Sequence, residues 1–107
     1  MTIDYALQKL DSGLRALATC DEPLRDRLVR AFDAIRQADP EDIPPEKREE
    51  FIALAATVRR DRRDHEMGAV YATIHSMDDR EAIAIADQVI DLYTHCHVAR
   101  ATAGGGR

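Results

Sequence analysis

An all-α domain is predicted by three features of the sequence. The stretch 78–99, DDREAIAIADQVIDLYTHCHVA, divides on a helical wheel into an apolar and a polar half. Earlier segments repeat Leu, Ile and Ala at steps of three and four. Ala, Leu, Ile, Arg, Asp and Glu dominate the composition, and such side chains lose little freedom in a helix. The expected architecture is a small bundle-like domain of four to five helices. An antiparallel hairpin is followed by a helix pair and a long amphipathic closing helix. Residues 1–100 form the domain, and 101–107, with Gly104, Gly105 and Gly106, read as a disordered tail.

The first helix has Thr2 as its expected N-cap, followed by Ile3, Leu7, Leu10, Leu14 and Leu17. This spacing of about 3.5 makes a seam narrow enough for one partner helix. Gly13 interrupts it at a cost of about 1 kcal/mol relative to Ala, so the helix must lean on packing. After Thr19 and Cys20, Asp21 is expected to cap a second helix with Pro23 in its first turn. That helix repeats the seam through Leu24, Leu28, Ala31, Ile35 and Ala38, reinforced by Val29 and Phe32. Two matching seams and a short connection predict the hairpin. Its outer face, with Arg25, Asp26, Arg27, Arg30, Asp33 and Arg36, reads as solvated and laced by helix-internal ion pairs.

Three prolines in DPEDIPP, residues 39–45, end the second helix, and Ile43 is expected to pack inward. A third helix begins at Pro45 or Glu46 and buries Phe51, Leu54, Ala55 and Val58. Beyond it, Met67, Val70, Tyr71 and Ile74 resume helical spacing on a face rotated by about 130°, which favours a break near 61–66 over one long helix. Ser76 with Asp79, or Asp78 with Glu81, supplies a capping box for the closing helix, and Met77 is placed to staple onto Ala82.

Across the apolar half of that helix run Leu92, Ile85, Cys96, Val89, Ala82, Tyr93, Ala86, Ile90 and Ile83, with His97 on the same half. The arc is about 180° wide, more than one neighbour would cover. Ile83, Ile85, Val89, Ile90, Leu92 and Tyr93 are therefore the candidate interaction face. A domain with few large aromatics is expected to leave part of it for a homo-oligomer or another protein.

The chain's net charge of −5 argues against a general nucleic-acid binder. Its two cysteines form no CxxC pair, its N-terminal stretch carries Asp4 and lacks a signal pattern, and no apolar run is long enough for a membrane span. These features read as a cytoplasmic protein with reduced thiols and no membrane contact.

Arg59, Arg60, Arg62 and Arg63 form the most unusual local feature. On a helix they would span about 160°, a candidate anion site for a phosphate, an RNA backbone or an acidic segment. The competing reading is that the chain's own carboxylates satisfy them, Asp39, Glu41, Asp42, Glu46, Glu49 and Glu50 among these.

Within the cluster, Arg60-Asp61-Arg62-Arg63-Asp64-His65 fits R-D-x-x-x-H. This resembles the short Arg–polar–x–His motif of HEPN-type helical ribonucleases. The resemblance implies Arg60 as the phosphate-stabilising group, His65 as the acid/base and Asp61 as the polar companion. That family usually carries apolar residues between Arg and His, where this chain has Arg62, Arg63 and Asp64.

His95 and His97 point about 200° apart on a helix and cannot share one ion, so no metal or other cofactor is expected. The reading adopted is a non-enzymatic interaction or regulatory protein that works through an apolar helix face. The alternative is an RNA-acting ribonuclease or anion-binding regulator centred on residues 59–65.

Overall fold

The computed structural model describes residues 3–61 and 67–105, with side chains to residue 102. Among the described residues there are five α-helices and no strand: α1 (Ile3–Thr19), α2 (Leu24–Ile35), α3 (Pro45–Thr57), α4 (Gly68–His75) and α5 (Asp79–Gly105). A 3-10 turn, Pro40–Asp42, joins α2 to α3. The all-α bundle expected from periodicity is the observed fold.

α1 and α2 form the antiparallel hairpin. Gly13 faces Ala31 and Ile35, while one turn further along α1 the Leu17 carbonyl accepts a hydrogen bond from Arg27. The glycine has a packing reason. A Cβ there would lie 2.6 Å from Ile35 Cγ1, 2.7 Å from Ile35 Cδ1 and 3.1 Å from the Ala31 carbonyl oxygen. The two backbones approach as closely as a missing side chain allows.

The start of α2 differs from expectation. Pro23 stands at the N-cap itself with no side-chain cap, and its carbonyl accepts from the Arg27 N–H at 3.1 Å. Asp21 therefore does not take the capping role, and the first turn of α2 has no side-chain cap. Ala38 lies beyond the end of α2, in the following turn, and is nevertheless buried.

The outer face of α2 also departs from the expected helix-internal pairing. Arg25 donates through Nε to the Met77 carbonyl at 3.0 Å and through Nη2 to Asp79 at 2.7 Å. Arg27 donates to the carbonyls of Glu22 and Leu17, and Arg30 pairs with Glu22. These arginines tie α2 to the last turn of α1, to the α1–α2 connection and to the chain after α4. Long side chains found carbonyls that helix termini leave unsatisfied.

α3 and α4 are separate helices that divide their partners: α3 lies against α5, and α4 against α2. Glu46 meets His95 at 2.9 Å and Arg60 meets Glu81 at 2.8 Å, so α3 runs antiparallel to α5. The Thr73 hydroxyl, fully buried on α4, accepts the Asp61 N–H at 2.9 Å and fixes the end of the α3 segment. Gly68 opens α4 at φ +92°, a conformation that residues with a Cβ rarely adopt. Asp78 caps α5 by accepting the Glu81 N–H at 2.8 Å, and Met77 is buried beside this start.

The core runs through all five helices. Leu10, Leu28, Phe32, Ile35, Ile43, Ile74, Val89, Leu92 and Cys96 are its most buried large members. α5 continues past residue 101, where the sequence expects a disordered tail, and stays helical to Gly105. Ala99 and Ala101 favour its continuation, and Arg100 pairs with Asp4 of α1 at 2.7 Å.

Candidate interaction face

α1 and α3 flank α5 on two sides, and their positions decide which part of its apolar half is covered. Ile85, Val89 and Leu92 are core residues, with Val89 and Leu92 at 0% exposure. They cannot act as an interaction face, which corrects half of the expected set. Tyr93 is half-buried. Ile83 and Ile90 remain 54% and 44% exposed. These two isoleucines are the far edge of the arc, beyond the reach of either flanking helix.

The covered and open parts follow from the wheel. Glu81 and His95, which meet α3, lie on one side of the core strip, and Tyr93 and His97 lie on the other. Tyr93, His97 and Arg100 share a recess of about 310 Å³ with Asp4, Leu7, Gln8 and Asp11 of α1. α1 therefore covers the arc as far as Tyr93 and stops. Ile83, Ile90 and His97 then repeat at intervals of seven, with Ala86, Tyr93 and Arg100 three residues after each. This is a heptad seam, with the a positions and Arg100 exposed and Ala86 and Tyr93 half-buried. The seven-residue spacing was present in the sequence, but the width of the apolar arc obscured it. His97 stacks on Tyr93, with ring centroids 5.9 Å apart, and is itself exposed.

The arginine cluster is only partly described. Arg62, Arg63 and His65, the last being the acid/base that the ribonuclease resemblance implies, lie outside the described residues. Arg59 is exposed, and its guanidinium has no hydrogen bond or ion pair among the described residues. Arg60 is engaged by Glu81 at 2.8 Å, a carboxylate outside the set expected to satisfy the cluster. Of the carboxylates in that set, Glu46 turns to His95 and Glu50 to Lys47. The hydrogen bond from His95, helped by the Glu46 backbone N–H, holds the Glu46 carboxyl below its ordinary range.

Cys96 is buried in the middle of α5, and desolvation pushes its thiol up to about 11. Cys20 is partly accessible at the α1–α2 connection. Among the described residues no group of three or more His, Cys, Asp or Glu side chains converges as a metal site would require. No helix among them is long and apolar enough to cross a membrane. No family model, curated protein or solved structure matches this chain.

Proposed function

We propose that this chain is a non-enzymatic helical interaction module that associates with a second copy of itself through the open edge of α5. The observation that carries this reading is the exposure of Ile83 and Ile90, seven residues apart on one stripe, at 54% and 44%. Isolated exposed isoleucines are ordinary, but two at heptad spacing beside half-buried Ala86 and Tyr93 make a continuous apolar track. A helix docking there would find knobs at the a positions and a groove between α1 and α5. A two-fold arrangement requires the patch to be self-complementary, and a short track of Ile and Ala meets that requirement more easily than a charged surface.

The test is sedimentation or native mass spectrometry of three proteins. The parent chain is expected to be dimeric at tens of micromolar. Ile83→Asp combined with Ile90→Asp is expected to be monomeric with unchanged helical circular dichroism. Val89→Asp, which places a charge in the core, is expected to unfold instead. A parent protein that is monomeric at high concentration, or a double variant that remains dimeric, rejects the assignment.

A further inference from the structure

A different part of the molecule holds an apolar recess. Between α2, the 3-10 turn, α3 and α4 lies a recess of about 140 Å³ walled mainly by Phe32, Phe51, Leu54, Val58 and Val70. Engineered apolar cavities of about this size accept benzene. Two arginines, Arg36 and Arg59, both exposed, are among its lining residues. Both also line an adjoining recess of about 280 Å³, which begins at Val29 and reaches Tyr71. Asp33, one turn before Arg36, is the one carboxylate lining either recess among the described residues.

The electrostatic arrangement is unusual for this chain. Carboxylates outnumber Lys and Arg by 20 to 15, and most described arginines hold a carboxylate or a backbone carbonyl. Among the described residues, Arg36 and Arg59 hold neither through their side chains. Where acid is in surplus, two exposed arginines that line one apolar recess and hold no described carboxylate leave room for a carboxylate from outside. A planar guanidinium recognises a carboxylate through two parallel hydrogen bonds, and a second guanidinium nearby adds attraction for the same anion. A compact, mostly apolar hollow with a few polar groups at its mouth suits a small molecule better than an extended chain.

We propose that this recess binds a small organic carboxylate, its apolar body of about benzene size seated among Phe32, Phe51 and Val58 and its carboxylate held by Arg36 and Arg59. The site shares no residue with the α5 edge, so its failure and that of the dimer assignment are separable.

The probe is phenylacetate, titrated into the intact protein and followed by backbone and methyl NMR, with benzyl alcohol as the uncharged counterpart. Saturable shifts are expected at Ala55, Val58 and Val70, with benzyl alcohol binding about tenfold or more weakly. Arg36→Gln and Arg59→Gln, both surface changes, are each expected to weaken phenylacetate by about tenfold and to reduce its salt dependence. Ala55→Leu, which fills the hollow, is expected to remove saturable binding. Shifts that do not saturate, equal binding of the alcohol, or unchanged affinity in both glutamine variants would overturn the proposal. So would a phenylalanine-terminated peptide that binds far more tightly than phenylacetate, since the recess would then belong to a protein C-terminus.

Discussion

The α1–α2 hairpin and the α3–α4 half use similar side chains but close to different degrees. In the hairpin a glycine sits where the neighbouring helix leaves no space for a methyl group. In the other half α3 turns to α5 and α4 to α2, and a recess stays open where the two might have met. The difference lies in how the neighbours are joined. A short connection forces α1 and α2 together, and small residues remove the obstacles. α3 and α4 take different partners, α5 and α2, so each helix uses the apolar surface of another part of the molecule. Tight packing follows chain connectivity here, and open space appears where connectivity lets neighbours separate.

The largest expected effect tests the tight side. Gly13→Ala gains about 1 kcal/mol of helix propensity, yet its methyl would overlap the buried Ile35 side chain. Overpacking should win and leave a net loss of about 1–2 kcal/mol by chemical denaturation. Adding Ile35→Val should recover part of that loss, which a double-mutant cycle would detect as coupling. Additive losses would mean that the close approach is not the cause.

At the entrance to α4, Gly68→Ala has space for its methyl but must hold φ at +92°. A loss of about 1 kcal/mol is expected, from backbone strain alone. If this loss exceeds that of Gly13→Ala, the comparison of the two halves fails.

Thiol labelling sharpens the same contrast without changing stability. Cys96, buried and with its thiol pushed up to about 11, should react with a disulfide reagent at pH 8 only as fast as the protein opens. Cys20 at the hairpin connection should label much faster. Equal rates would mean that α5 is not held against the core.

The smallest effect concerns the α3–α5 contact. The Glu46 carboxyl lies below its ordinary value of 4.5 because of His95, so its folded-state contribution is complete above that pH. The contribution disappears as pH falls through the lowered value. Denaturation midpoints of Glu46→Gln and the parent should therefore differ at pH 5.5, and the gap should close as pH falls below the ordinary carboxylate range. A constant gap across that range would count against the Glu46–His95 pair.

Much of the helical layout was legible in the sequence because its punctuation is local. Prolines end α2 and open α3, the Asp78 cap announces α5, and the change of apolar face predicts the break before α4. The partners of those helices were less legible. Periodicity gives the direction and width of an apolar face, but not how much of it neighbours will cover. That is why Ile85, Val89 and Leu92 joined Ile83 and Ile90 in one expected face before burial separated them. The arginines show the same limit. Arg25 and Arg27 look like solvated helix charges until distant carbonyls come within reach. Arg36 and Arg59 line one recess only because the fold brings α2, the 3-10 turn, α3 and α4 around it.

The packing of α1 against α5 also bears on how the molecule is made. Leu7, Leu10 and Leu17 of α1 need surfaces contributed partly by a helix that begins at Asp79. During synthesis, α1 and α2 can pair soon after they emerge, because their contacts are local. The hairpin must then wait, with apolar surface still open, until α5 has been translated. This interval is when a nascent chain would be most open to chaperone capture or to pairing with another unfinished copy.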